Sequence, residues 1–271
     1  MAVVIDGREI AAGIYERIGE VVRGSKVGII SSSAASARVY ASVVKKNAAN
    51  LGVEIVEKAV DEHATTSDII SEILELSGCD GIVIQGPFRN VEMEKVYASL
   101  PLEKDIEGMC AGHLGQLYRK PARKTPLPCT PAAVIKIIES TGIELKGRDV
   151  CIINHSPVIG KPLTTLLLNA DATVSVCHAY TKHLEYYTSN ADIVVCAVGI
   201  PEFLKGTQVK QGSFVIDCGM NRKDGKIVGD ADFASLKEKC SYITPVPGGV
   251  GPVTTSMLFY NLAKLKQNLE A

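Results

Sequence analysis

Several places in this chain join chemically capable side chains to small or constrained neighbours. Tyr40 stands on a helical pattern, and its phenol can orient a substrate or relay a proton. Gln85 closes the run Asp80-Gly81-Ile82-Val83-Ile84, where its amide offers both a donor and an acceptor at a strand end. Asp105 and Glu107 share a following loop, and carboxylates there can bind an amine or a guanidine-like edge. Each of these residue types also serves as ordinary scaffold. Gln85 is the sharpest, because its strand-end position fits ligand contact.

A second group lies further along. The turn from Asn154 through His155, Ser156 and Ile159 to Gly160 separates an apolar run from a helical one. A helix start at the end of a parallel strand can hold a phosphate, and the Ser156 hydroxyl is its natural donor. The spacing is not the three-glycine dinucleotide fingerprint, so a plain strand-to-helix turn is an equal reading. His178, the run Ala197-Val198-Gly199, and Gly219 close three later apolar runs. In an open α/β sheet these ends converge on one edge, where a flat ring can approach small residues.

The third feature is Ile243-Thr244-Pro245-Val246-Pro247-Gly248-Gly249-Val250-Gly251-Pro252. Proline fixes φ and removes a donor, while glycine admits close approach. Pro247, Gly248 and Gly249 therefore mark either a ligand-facing wall or a rigid turn between a last strand and a last helix.

Positioning these groups requires alternating strands and helices. Residues 6–22 carry Ile10, Ile14, Ile18 and Val21 at helical spacing. Strand 26–31, a helix ending at Leu51 before Gly52, strand 53–58, helix 66–77, strand 80–84 and helix 91–99 follow. Such alternation predicts a parallel sheet covered by helices. Residues 100–131 are turn-like, then basic and proline-rich, and either face solvent or attract an anion. Beyond them helix 130–141 opens a second series: strands in RDVCIIN, ATVSVC, ADIVVCAV, SFVIDCG and SYITP, with intervening helices. The class is α/β: two α/β domains flanking a cleft, the second a Rossmann-like doubly wound parallel sheet. The expected division is 1–127 with a returning helix at 254–271, and 128–253.

Composition limits the alternatives. The 271 residues are 46% hydrophobic with a formal charge of -1 and no tryptophan, which argues against a nucleic-acid partner. Eight cysteines without a CxxC pair suit small buried hydrophobes in a reducing cytoplasm better than a disulfide framework. The acidic start and the lack of long apolar runs predict neither a signal peptide nor a membrane span. Neither HExxH nor GxSxG occurs, so neither a metal centre nor a serine nucleophile is expected.

Taken in order, DGIVIQGP, PLEKDIEG, LPCTP, HSPVIGKP, ATVSVCH, ADIVVCAVG, VIDCGMN and TPVPGGVGP resemble the methylenetetrahydrofolate dehydrogenase/methenyltetrahydrofolate cyclohydrolase family over nearly the whole chain. The resemblance implies hydride transfer from 5,10-methylenetetrahydrofolate to NADP or NAD, tetrahydrofolate derivatives as ligands, and a homodimer. Tyr40 and Gln85 match the family's folate-site tyrosine and glutamine, and Asp105 matches the first aspartate of KDVDG. Ser156 and Gly160 match its cofactor turn, and the 247–251 segment matches a shared wall.

Three departures carry weight. The family pattern YVxxKxK reads here Tyr40-Ala41-Ser42-Val43-Val44-Lys45-Lys46, so Val44 takes the catalytic lysine position. Valine neither donates a hydrogen bond nor changes charge, which leaves the dehydrogenase reaction as the leading expectation. Lys45, about 100° away around a helix, is the one route by which a bifunctional enzyme forming 10-formyltetrahydrofolate survives. Glu107 replaces the second aspartate of KDVDG, and His155 replaces an arginine associated with the NADP phosphate. A folate- or nucleotide-binding protein with reduced catalysis is the alternative of a different class.

Overall fold

The computed structural model describes residues 1–61 and 63–266. In chain order its elements begin with β1 (Val3–Val4), α1 (Gly7–Val22), β2 (Lys26–Ser32), α2 (Ala35–Leu51), β3 (Glu54–Val60), α3 (Thr66–Glu75), β4 (Gly81–Gln85), α4 (Met93–Ser99) and α5 (Ala111–Leu117). Then come α6 (Cys129–Ser140), β5 (Asp149–Ile153), α7 (Gly160–Asn169), β6 (Thr173–Cys177), α8 (Leu184–Asn190), β7 (Ile193–Cys196) and β8 (Phe214–Asp217). The series closes with β9 (Asn221–Lys223), β10 (Lys226–Val228), α9 (Phe233–Lys237), β11 (Tyr242–Ile243) and α10 (Val250–Lys266).

The chain divides into two compact units, residues 1–13 with 128–254, and residues 14–127 with 255–271. The first thirteen residues thus group with the later segment, rather than with the N-terminal domain expected from sequence. The cause is β1, which pairs in parallel with β11 through Val3↔Tyr242 and Val4↔Ile243. Residues 267–271 of the expected returning helix lie outside the described residues.

The unit built from 14–127 and 255–271 has a three-stranded parallel sheet in the order β3-β2-β4. Central β2 is buried along nearly its whole length, which explains its continuous apolar reading. Helix α2 buries Ala37, Ala41, Val44, Ala48 and Leu51, a stripe at helical spacing that ends on Gly52 in the left-handed region. Thr65 caps α3: its hydroxyl accepts from the Asp68 amide at 3.3 Å, and its own amide donates to Asp68 at 2.8 Å. A core of Ile30, Ile69, Ile73, Ile82 and Val96 lies between the sheet and α3–α4.

The other unit carries a six-stranded parallel sheet in the order β1-β11-β8-β7-β5-β6. Its core includes Cys151, Val194, Cys196, Val215 and Ile243, all essentially without exposed surface. All eight cysteines are free thiols, six of them buried. Antiparallel β9 and β10 form a separate hairpin, turned by Asp224 and Gly225, both at positive φ.

Within the 14–127 and 255–271 unit, Asn261 of α10 is completely buried. Its amide donates to the carbonyls of Ile106 and Leu127, at 2.9 and 2.8 Å, and accepts from the Leu127 amide at 3.2 Å. Asn261→Ala strands these groups away from water and is expected to cost roughly 2–4 kcal/mol in denaturant unfolding. A loss below about 0.5 kcal/mol would show that water replaces the amide.

Candidate functional site

In the 14–127 and 255–271 unit, the residues with chemistry lie on β4, on α2 and in the loop before α5. Gln85 ends β4 and pairs in register with Ser31 of β2. It is partly buried, and its amide makes a long 3.4 Å bond to the Gly86 carbonyl. Tyr40 is partly buried on α2. Val44 has no exposed surface and belongs to the stripe that packs α2 on the sheet. Lys45, one residue on, forms an ion pair with Glu57 of β3. The same Glu57 accepts from the Ser31 hydroxyl at 3.1 Å. Lys45 is therefore drawn into a Lys45–Glu57–Ser31 chain, and this network was not foreseen from sequence.

The loop between α4 and α5 is built around Asp105, which is fully buried. Its carboxylate accepts from the Met109 and Cys110 amides at 3.2 and 2.7 Å, and lies 2.8 Å from His113 Nδ1. Burial pulls its pKa upward, but the bonds from His113, Cys110 and Met109 outweigh it and hold the carboxyl below its ordinary value. Asp105 thus anchors its loop and the start of α5 instead of presenting a free carboxylate. Glu107 accepts from the Ile84 amide at 2.8 Å, directly beside Gln85. The residue keeps some surface, yet burial of its carboxyl pushes its pKa up to about 8, against the Ile84 bond and with a further rise from Asp105.

In the unit of 1–13 and 128–254, the predicted strand ends also share one edge. Asn154 follows β5 and acts as an internal brace. Its oxygen accepts from the Ser156 and Gly160 amides at 2.8 and 2.9 Å, and its nitrogen donates to the Ala197 carbonyl at 2.6 Å. The Ser156 hydroxyl accepts from the Ile159 amide at 3.1 Å. The start of α7 is therefore capped from within, leaving the Ser156 hydroxyl proton free to donate outward. A Cβ on Gly160 would overlap the Asn154 carbonyl, so only glycine closes this turn.

Two carboxylates at this edge lie outside the cofactor-site residues expected from sequence. Asp230, fully buried, accepts from the Val198 and Gly199 amides and from Asn221. Asp217 accepts from the Gly219, Asp230 and Ala231 amides at 2.8, 3.0 and 2.8 Å. Burial raises the Asp217 pKa to about 6, opposed by those amides and helped by Asp230. Their sequence signal was slight: Asp217 stands two residues before Gly219 in DCGMN, and Asp230 follows Gly229 in GDAD. His155 and His178 meet ring to ring, with centroids 4.9 Å apart.

The proline- and glycine-rich segment approaches the chain's own N-terminal helix. The Gly7 amide donates to the Gly248 carbonyl at 2.9 Å, and a Cβ on Gly7 would overlap the Gly249 carbonyl. Among the described residues, no group of three or more His, Cys, Asp or Glu side chains could hold a metal, and no helix is long and apolar enough to cross a membrane.

Residues 5–107 match the model of the tetrahydrofolate dehydrogenase/cyclohydrolase catalytic domain, and residues 128–270 match its NAD(P)-binding domain. This chain belongs to the tetrahydrofolate dehydrogenase/cyclohydrolase family. It is 37% identical to the bifunctional protein FolD of Hydrogenobaculum sp., covering 96% of this chain and 97% of the relative. The crystal structure of the Campylobacter jejuni bifunctional methylenetetrahydrofolate dehydrogenase/cyclohydrolase superposes with a TM-score of 0.94 at 35% identity, covering 99% of each chain. The Trypanosoma brucei enzyme, solved with NADP cofactor and an inhibitor, gives 0.91 at 31% identity over 98% of this chain and 97% of that one. The family and the two-domain α/β class inferred from sequence both hold.

Two outcomes follow from the geometry. Gly160→Ala is expected to destabilise the tetrahydrofolate dehydrogenase/cyclohydrolase fold by roughly 1–3 kcal/mol, read by denaturant unfolding, because the Asn154 turn must open. For Glu107 the folded pKa of about 8 exceeds the ordinary 4.5. Its contribution to stability is then complete below about pH 4.5 and lost as pH rises through about 8. Glu107→Gln, which mimics the neutral acid, should flatten that decline in a melting-temperature series from pH 5 to 9. Superimposable wild-type and variant profiles would show that Glu107 ionises normally.

Proposed function

We propose that this chain oxidises 5,10-methylenetetrahydrofolate with NADP+ or NAD+, and that its hydrolysis of the methenyl product is severely weakened. The observation that carries the second half is the burial of Val44 where the family has its catalytic lysine, together with the engagement of Lys45 by Glu57.

The nicotinamide, when bound, supplies the hydride acceptor. The strand-end loops suit such a group chemically. Ser156 offers a hydroxyl proton, and Ala197 and Gly199 present little side-chain bulk to a flat ring. On the folate side we assign Tyr40 and Gln85 to the pterin and its one-carbon group, and Glu107 to the amino-pyrimidine edge. Asp105 acts at one remove, holding the loop that carries Glu107. Pro247, Gly248 and Gly249 are read as substrate-contacting backbone.

The two reactions ask different things of the protein. Hydride transfer needs donor and acceptor carbons held about 3–3.5 Å apart, and position can supply most of that. Hydrolysis requires water to attack the methenyl carbon and lose a proton, which needs a group able to take it. Val44 cannot do so. A second reading is favoured by one observation: Ser31, bonded to Glu57 and so linked to Lys45, lies in register with Gln85. Through that chain Lys45 can serve as the displaced cation of a bifunctional enzyme. We extend the family's homodimer and a cytoplasmic setting to this chain on the same footing.

The test supplies methylenetetrahydrofolate with NADP+ or NAD+ and follows reduced nicotinamide, then methenyltetrahydrofolate alone and follows its hydrolysis above background. Turnover in the first assay with near-background hydrolysis in the second is expected. Val44→Lys should raise hydrolysis by roughly 100-fold, the scale of one general acid–base group. Fast wild-type hydrolysis that Lys45→Ala abolishes would establish the second reading instead. Ligand binding without reduction of either nicotinamide would leave a binding protein.

A further inference from the structure

In a doubly wound sheet the residue ending the second strand, about twenty positions after the glycine turn, reads the ribose 2′ position of a dinucleotide. A carboxylate there selects a 2′-hydroxyl, and a nearby arginine accommodates a 2′-phosphate. In this chain β5 is the first strand of the series, and β6, its parallel neighbour, ends at Cys177 through the register Ile153↔Cys177. The residue at the reading position is His178. It is neither an acid nor a guanidinium.

The local bonding specifies what His178 offers. Its Nδ1 accepts the Tyr180 amide at 3.2 Å, and its own amide donates to the Thr181 hydroxyl at 2.8 Å. An Nδ1 that accepts carries no proton, so the ring proton resides on Nε2 as a single neutral donor. His155 follows the adjacent strand end, and its ring packs on His178 at 4.9 Å with an interplanar angle of 52°. Tyr180 stands edge-on to His178 at 6.1 Å. Both histidines are exposed, and neither ring is bonded to a carboxylate among the described residues.

We propose that the His155–His178 pair is the cofactor-specificity element of this chain and that it accepts a ribose 2′-hydroxyl and a 2′-phosphate with similar affinity. The inference rests on the dinucleotide reading of this unit. A neutral N–H donor bonds either group. With no carboxylate, nothing repels the phosphate dianion, and with no guanidinium fork, nothing demands it.

The experiment is calorimetric titration of the full chain with AMP and with 2′,5′-ADP, fragments that differ only at the 2′ position, alongside NAD+ and NADP+. The wild type should bind the two fragments within about tenfold of each other. His178→Asp should shift the ratio at least tenfold toward AMP by adding a repelling charge, and His155→Arg at least tenfold toward 2′,5′-ADP. Because both positions are exposed, wild-type melting temperatures are expected, and His178→Gln, a neutral donor, should keep the ratio near wild type. A wild-type preference above 100-fold for either fragment overturns the proposal. So do variants that weaken both fragments equally. Failure of all four nucleotides to bind would instead remove the dinucleotide reading, and the pair's role with it.

Discussion

Backbone amides that turn inward in the loops beyond the sheets must find acceptors where water does not reach, and in each unit a buried aspartate supplies them. Asp105 gathers the amides of Met109 and Cys110, and Asp230 gathers those of Val198 and Gly199. An unpaired buried amide costs about 1–3 kcal/mol, so each carboxylate fixes its loop in one conformation. The charge must in turn be tolerated. Asp105 manages this with three donors including His113, whereas Asp217, facing Asp230, is pushed up to about 6. Candidate ligand-binding backbone is therefore rigid because neighbouring charge has been spent on it.

This division of labour explains which parts of the site were legible in the sequence. Period and length located β2, α2 and β4, because a central parallel strand is apolar throughout and α2 buries one stripe. The turn at Asn154 to Gly160 and the strand ends at His178 and Gly199 could be named from position alone. What sequence could not give was direction. Asn154 and Asp105 were expected to face a ligand, and both face inward to bond the backbone. A polar residue at a strand end reads the same whether it binds a ligand or holds a loop.

Other omissions have similarly local causes. Helix α5 carries two glycines in seven residues, and its start is set by the tertiary bond to Asp105 rather than by propensity. Strand β1 is two residues long and exists through its partner β11. The β9–β10 hairpin was also missed, although Asp224-Gly225 between short polar runs is a strong turn signal.

The same distinction between facing and holding governs the helix that replaces the lysine. Position 44 falls on the stripe that packs α2 to the sheet, together with Ala41 and Ala48. A valine there gains apolar burial, worth roughly 1.5–3 kcal/mol when complete, whereas a lysine there must find a route for its ammonium to polar surroundings. Moving the cation one residue on relieves that cost and hands it to Glu57 on an edge strand. A reaction governed by alignment asks for no proton-transfer group at position 44. A reaction that must move a proton from water needs a group able to take it, and one residue along the helix the Lys45 ammonium is paired with Glu57, which also accepts from Ser31.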